Sequence, residues 1–179
     1  MTSRVALLSP PNAQAYRALM LEAYALEPDA FTSTPQERAA LPLSWWEKRL
    51  GASDDAVGFG AFEGDTLVGS IVLERGERTK TRHKGHIVGM YVKASHRGRG
   101  IGAALFEAAM EAARARFDLR TVILTVSEGN DGARALYERF GFRAFGVEPQ
   151  AIAVGASFIG KVHMVCELLP GMKEAQDAR

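Results

Sequence analysis

The chain reads as an α+β protein, a layered α/β/α arrangement with helices flanking a mixed, mostly antiparallel sheet. Three observations predict this. Two apolar runs, 57–62 and 66–73, are separated by Glu63-Gly64-Asp65, the pattern of two antiparallel strands joined by a tight turn. A near-continuous β-branched run from Thr121 to Val126 reads as a buried strand between two helical patterns. The 179 residues are 47% hydrophobic and 24% charged, ordinary for a globular domain, and that length lets roughly 70% of the unfolded chain's surface be buried.

Taken in order, residues 4–8 form a short strand ended by Ser9-Pro10-Pro11, and a helix follows from Asn12, a good N-cap. Tyr16, Leu19, Met20 and Ala23 recur on it at helical spacing. Residues 27–35 are irregular and loop-like. A second amphipathic helix carries Trp45, Trp46, Arg49 and Leu50 and stops before Gly51. After the hairpin, His86 to Val92 is a third strand. The helix from Gly100 to about Arg116 aligns Ile101, Leu105, Ala108 and Ala112, with Phe106, Met110 and Ala113 widening the stripe. Beyond strand 121–126, a helix from Asp131 to Phe140 ends at Gly141, and strands near 142–147 and 161–168 close the fold. One domain over 1–169 and a polar tail over 170–179 are expected.

Composition excludes several classes. Lys and Arg number 22 against 21 Asp and Glu, so the net charge of +1 does not mark a wholesale nucleic-acid or membrane-surface binder. The single Cys166, in a strand-like run, rules out an internal disulfide and a cysteine-cluster metal site, and reads as a buried, inert thiol. No apolar run reaches the roughly 18 residues of a membrane span, and the first ten residues lack a signal-peptide core. A soluble, cytoplasmic protein without a metal is the expectation.

The chemistry concentrates in Met90-Tyr91-Val92-Lys93-Ala94-Ser95-His96-Arg97-Gly98-Arg99-Gly100-Ile101-Gly102-Ala103. A strand delivers the chain to a basic, glycine-rich loop that opens a helix. The unpaired N–H groups and the dipole of that helix start suit an anion such as a pyrophosphate. Gly98, Gly100 and Gly102 let phosphate oxygens approach the backbone, while Arg97 and Arg99 add positive charge. The stretch also satisfies the dinucleotide pattern G-x-G-x-x-G/A. Three features weigh against that reading. Five residues separate these glycines from the strand, no acid ends the next strand at the expected distance, and the loop lies mid-chain behind an antiparallel hairpin.

Arg97-Gly98-Arg99-Gly100-Ile101-Gly102 resembles the Q/R-x-x-G-x-G/A loop of the GNAT superfamily of N-acetyltransferases. Asn130, Ala133, Leu136-Tyr137 and Phe140-Gly141-Phe142 resemble that superfamily's N-x-x-A-x-x-L-Y-x-x-x-G-F segment. The resemblance spans about residues 86–147, with the 57–73 hairpin fitting the fold and residues 1–50 matching only in helical character. It implies two splayed central parallel strands, 86–92 and 121–126, with the arm of acetyl-CoA, a cosubstrate, in the gap. Backbone groups of Met90, Tyr91 and Val92 pair with the cofactor's amides as a missing strand would. Gly89 is placed for the bulge that opens the gap. Arg97, Gly98, Arg99, Gly100, Ile101 and Gly102, together with Asn130, Arg134 and Tyr137, are the implied cofactor-binding residues. Tyr137 is the implied general acid for the departing thiolate.

The implied reaction is direct attack of a neutral primary amine on the thioester in a ternary complex, with the oxyanion met by an N–H near Val92. His86 on the same strand is a candidate base and Glu22 on the first helix another; each also has an ordinary surface reading. Residues 75–99 carry eight basic side chains against Glu77 alone, whereas 18–65 carry nine acids against Arg38, Lys48 and Arg49. This suggests a basic flank facing the anionic cofactor and an acidic flank attracting a cationic amine, or simply solvated charge. The alternatives are a non-catalytic acyl-CoA sensor on the same fold, which Tyr137 disfavours, and a nucleic-acid module, which lacks interleaved aromatics. The acceptor, a small molecule or a peptide amine, has no transferable motif; residues about 22–46 and the 148–160 connection are expected to shape its site, with Phe31, Trp45 and Trp46 either lining a pocket or packing as core. A homodimer is compatible with the superfamily.

Overall fold

The computed structural model describes residues 3–52, 55–115, 117 and 119–168. The expected tail over 170–179 lies outside them. Seven strands form one sheet: β1 (Arg4–Leu7), β2 (Ala56–Glu63), β3 (Thr66–Arg75), β4 (Lys84–Val92), β5 (Thr121–Ser127), β6 (Arg143–Val154) and β7 (Ser157–Glu167). Their order is β1-β2-β3-β4-β5-β7-β6. Only β4 and β5 run parallel; every other neighbouring pair is antiparallel.

Helices cover both faces. On one lies α1 (Ala13–Leu26), which buries Tyr16, Leu19, Met20, Ala23 and Tyr24, the i, i+3, i+4 stripe its sequence carries. With α1 pack α3 (Leu43–Glu47), Trp46 and Leu50, over Leu67, Val72 and Tyr91 of the sheet. On the other face lie α4 (Ile101–Ala115) and α5 (Asp131–Arg139), over Val57, Ile71, Leu73, Val122 and Leu124. The layered α/β/α expectation holds. None of the described helices is long and apolar enough to cross a membrane.

Several local readings shift. The buried seam of α4 runs through Leu105, Ala109 and Ala113 rather than Ala108 and Ala112, because Phe106 and Met110 are fully buried and turn the helix toward them. Asn12 does not cap α1: its Oδ1 accepts the Ser9 N–H at 2.9 Å and closes a 3-10 turn over Pro10–Asn12. Where 27–35 reads as a loop, the last of these residues opens α2 (Pro35–Ala39). Its signal is present in Thr34-Pro35-Gln36-Glu37, a capping box with proline at the first helical position. The segment between the last two expected strands is itself strand. β6 and β7 form one long hairpin turning at Gly155 (φ +59), and a shift of register between Glu148 and Ile152 lets β6 take in Pro149 without breaking. Cys166 is buried as expected, and burial pushes its thiol pKa up.

Candidate active site

The site begins with one glycine. β4 and β5 pair only from Lys84↔Thr121 to His86↔Ile123 and then diverge. Three residues further along β4, Gly89 has φ +58, and the pairing with β3 jumps there from Val72↔Val88 to Ser70↔Tyr91. That is a bulge, and it bends β4 away from its parallel neighbour. The Ser70 hydroxyl donates to the Gly89 carbonyl at 3.1 Å and fixes the bend. A Cβ on Gly89 would lie 2.8 Å from the Tyr16 hydroxyl, so both backbone shape and space require glycine.

The fork holds a cavity of about 990 Å³. One wall is β4 from Ile87 to Val92; the other is the end of β5 and the start of α5. At one end Gly98 (φ +75) and Gly100 (φ +78) lead into the first turn of α4. A Cβ at either would meet nothing within 4 Å, so the backbone there stands open for a bulky group to approach. Asn130 caps α5 through Oδ1, which accepts the Ala133 N–H at 3.2 Å, and it also lines the cavity. Tyr137, two turns further along, lines it too. Its ring packs 5.2 Å from that of Phe106, and burial pushes its hydroxyl pKa up to about 12.

Of the residues singled out in the sequence, Met90, Tyr91, Val92, Arg97, Gly98, Gly100, Ile101, Gly102, Asn130 and Tyr137 come together around this cavity. Arg99 and Arg134 are not among its lining residues: Arg99 reaches the Ser95 carbonyl (3.1 Å) and Glu63, and Arg134 pairs with Glu138 at 2.9 Å. His86 lies at the paired end of β4, in a separate shallow depression with Arg78 and Lys84. Burial holds its imidazole below the usual pKa, with Glu74 pulling the other way. Glu22 is likewise outside the cavity, where it accepts from the Tyr91 hydroxyl (3.2 Å) and binds Lys93 (3.1 Å).

The other end of the cavity draws on residues 22–46, as expected for the acceptor: Phe31 lines it, whereas Trp45 and Trp46 and the 148–160 connection do not. Tyr24, Phe31, Arg38 and Arg49 line it, and so does Lys161 from β7. A strap over residues 29–30 is tied down from the far side of the fork: the Ser127 hydroxyl donates to the Asp29 carbonyl and the Lys161 ammonium to that of Ala30 (3.1 Å). Lys161 is 5% exposed, and desolvation lowers its pKa. For Lys161 the available signal was a lysine inside a strand's apolar run. Among the described residues no three or more His, Cys, Asp or Glu side chains gather as a metal site.

The charge segregation resolves inside the molecule. Arg75 and Arg82 bind Asp55, Lys93 binds Glu22, Arg97 binds Glu27, and His96 and Arg99 bind Glu63. The basic segment thus meets the acidic one across the β2-β3-β4 side of the sheet.

Split sheet, elongated cavity and open glycine turn define a forked-sheet α+β protein built around a long, narrow ligand site. The comparisons carry this further. The family model described as Acetyltransferase (GNAT) family matches residues 18–142, and the chain belongs to that family. Its fold is that of yncA from Salmonella typhimurium, solved with its cofactor acetyl-CoA, at a TM-score of 0.79 and 17% identity over 100% of both chains. Curated relatives include N-alpha-acetyltransferase 30 of Schizosaccharomyces pombe, 26% identical over 47% of this chain and 55% of that protein. Another is the L-methionine sulfoximine/L-methionine sulfone acetyltransferase of Pseudomonas aeruginosa, 36% identical over 38% of each. The matched stretch thus spans about half, or less, of these relatives' lengths.

Proposed function

We infer that the protein moves an acetyl group from acetyl-CoA to a primary amine by direct attack within a ternary complex. The observation that carries this is the fork: one cavity runs from an open glycine turn, past unpaired β4 backbone, to a buried tyrosine. The residues fit acetyl-CoA. Gly98 and Gly100 leave room for phosphate oxygens beside the first N–H groups of α4, whose dipole favours negative charge. Backbone groups of Met90, Tyr91 and Val92, past the end of the β4–β5 ladder, complete the sheet with the cofactor's amides. Arg97 donates to the Val92 carbonyl (3.0 Å) and holds Glu27 (2.6 Å), so it shapes this wall besides adding charge. Arg99 and Arg134 contribute at longer range.

An N–H near Val92 meets the charge that builds on the attacked carbonyl oxygen. Tyr137 gives its proton to the leaving sulfur. A phenol near pKa 12 is fully protonated at neutral pH, and the burial that raises it raises a departing thiolate's affinity for protons as well. His86 and Glu22 lie outside the cavity, so the amine's proton leaves by water along the Asp29 and Glu128 wall. The curated relatives are named for N-alpha-acetyl transfer and for acetyl transfer to L-methionine sulfoximine and L-methionine sulfone. The cytoplasm, which holds acetyl-CoA, is the matching compartment.

The experiment is release of free CoA thiol over a panel of amines, with acetylated product identified by mass. Absence of amine-dependent release would overturn the reading in favour of a sensor. For self-association, a second copy fits the free edge at β6, which ends the sheet and exposes Phe145 and Val147. Sedimentation of a Val147→Lys variant as monomer, against a wild-type dimer, tests it.

A further inference from the structure

Three arginines line the cavity, and they differ in one respect. Arg49 holds Glu74 at 3.2 Å and Arg97 holds Glu27 at 2.6 Å. Among the described residues the Arg38 side chain has no carboxylate within ion-pair distance and makes no hydrogen bond, and its Nε is enclosed and unpartnered. Lys161, the remaining cation of the wall, is engaged by the Ala30 carbonyl. Buried guanidinium donors are nearly always satisfied, because leaving one unmet costs most of its desolvation penalty.

Arg38 is also held in place. Its guanidinium carbon sits 4.6 Å from the centre of the Trp45 ring and 5.9 Å from that of Tyr24. The Trp45 ring carries Arg49 as well, at 4.4 Å, so two like charges share one indole, and of the two only Arg49 has a carboxylate partner, Glu74. The neighbouring acid, Glu37, is turned to the cap of α2, where its carboxylate accepts the Thr34 N–H at 2.8 Å. The far end of α2 is tied to α1 by Arg17, which donates to the Ala39 carbonyl at 2.8 Å. A rigid, planar, unpaired fork at a cavity wall is a receptor for a carboxylate. Asp29 and Glu128, on the same cavity and in no ion pair among the described residues, complement the ammonium of such a molecule.

We propose that the acceptor is a small amine that also bears a carboxylate, an amino acid in the broad sense, and that Arg38 binds that carboxylate. This rests on the acetyl-transfer reading and narrows its substrate class from any amine to a zwitterion. The cofactor end of the cavity is unaffected by it.

The test compares acceptors sharing one side chain: a free amino acid, its amide, the decarboxylated amine, and a peptide with the same residue at its N-terminus. The wild type is expected to prefer the free acid in kcat/KM by about 10²-fold, the scale of a lost charge-assisted pair. Arg38→Gln is expected to bring that ratio near one, and Arg38→Lys, which keeps charge without the fork, to fall between. Binding is read separately by titrating an N-acetyl amino acid and following tryptophan fluorescence, since Trp45 lies against Arg38. A saturable change is expected in the wild type and none in Arg38→Gln. An amide, decarboxylated amine or peptide accepted as well as the acid, or a ratio unchanged in Arg38→Gln, overturns the proposal. If no amine at all releases CoA, the acetyl-transfer reading fails, and the fluorescence titration still decides whether Arg38 binds a carboxylate.

Discussion

The two ends of the cavity are built differently. The glycine end is made of backbone: a bulge at Gly89, an open turn at Gly98 and Gly100, and the first turn of α4. The arginine end is made of side chains delivered by short helices, with Arg38 on α2 and Trp45 on α3, and by a strap pinned from β5 and β7. A backbone site binds what every user of one cofactor shares, and it needs few particular side chains beyond glycine. A side-chain site can change acceptor with a handful of substitutions and leave the fork untouched. The difference teaches where specificity resides.

That contrast can be broken most severely at Gly89. Gly89→Val meets a forbidden φ and the Tyr16 hydroxyl together, and is expected to cost about 3 kcal/mol in urea denaturation and about 10²-fold in activity. An unchanged midpoint would mean that the bulge does not depend on glycine. Tyr137→Phe is next: kcat is expected to fall about 10²-fold while the KM for acetyl-CoA moves less than about threefold. Because burial raises this tyrosine to about 12, it keeps its proton up to that pH, so its ionisation should add no alkaline limb below it. Folding tells the same story from the other side: unfolded tyrosine ionises near 10, so stability should decline between pH 10 and 12 in the wild type, and less in Tyr137→Phe.

Thr34→Ala probes the arginine end alone. Loss of the cap of α2 should cost about 1 kcal/mol locally and raise the acceptor KM several-fold, with the KM for acetyl-CoA unmoved. Equal effects on both constants would show that the two ends are not separable. The smallest effect is expected outside the cavity, at Asp55. Its hydrogen bond from Arg75 holds the carboxyl below its ordinary range, so its contribution is present above the unfolded carboxyl's pKa, near 3.8. The contribution disappears as pH falls through the lower, folded value. Asp55→Asn should therefore flatten the acid side of the stability curve slightly.

Much of the glycine end was legible because its signals are local. Gly98 and Gly100 lie within a turn of the start of α4, and Asn130 and Tyr137 within two turns of each other on α5. The elements from 56 to 142 were legible for the same reason, since hydrophobic period and turn chemistry act over a few residues. The arginine end was legible only as the stretch 22–46 and not residue by residue, although the capping box at Thr34 announced its helix. What makes Arg38 distinctive is the absence of an acid beside it, and that depends on where Glu37, Glu74 and Glu27 turn after folding. The basic and acidic segments posed the same difficulty. Composition presented two fields facing outward, and the sheet order placed them side by side, so that Asp55, Glu22, Glu27 and Glu63 became partners for 75–99.

By itself, then, the sequence determined the layered fold and the glycine turn, because each follows from local backbone preference and the burial of apolar faces, while the forked pair of strands came from the resemblance to the GNAT superfamily. Tertiary structure alone decided which charges cancel, that His86 and Glu22 stand outside the cavity, and that Arg38 stands in it unpaired. Those outcomes rest on contacts between residues tens of positions apart, and Coulomb and hydrogen-bond energies act on distance in space, not along the chain.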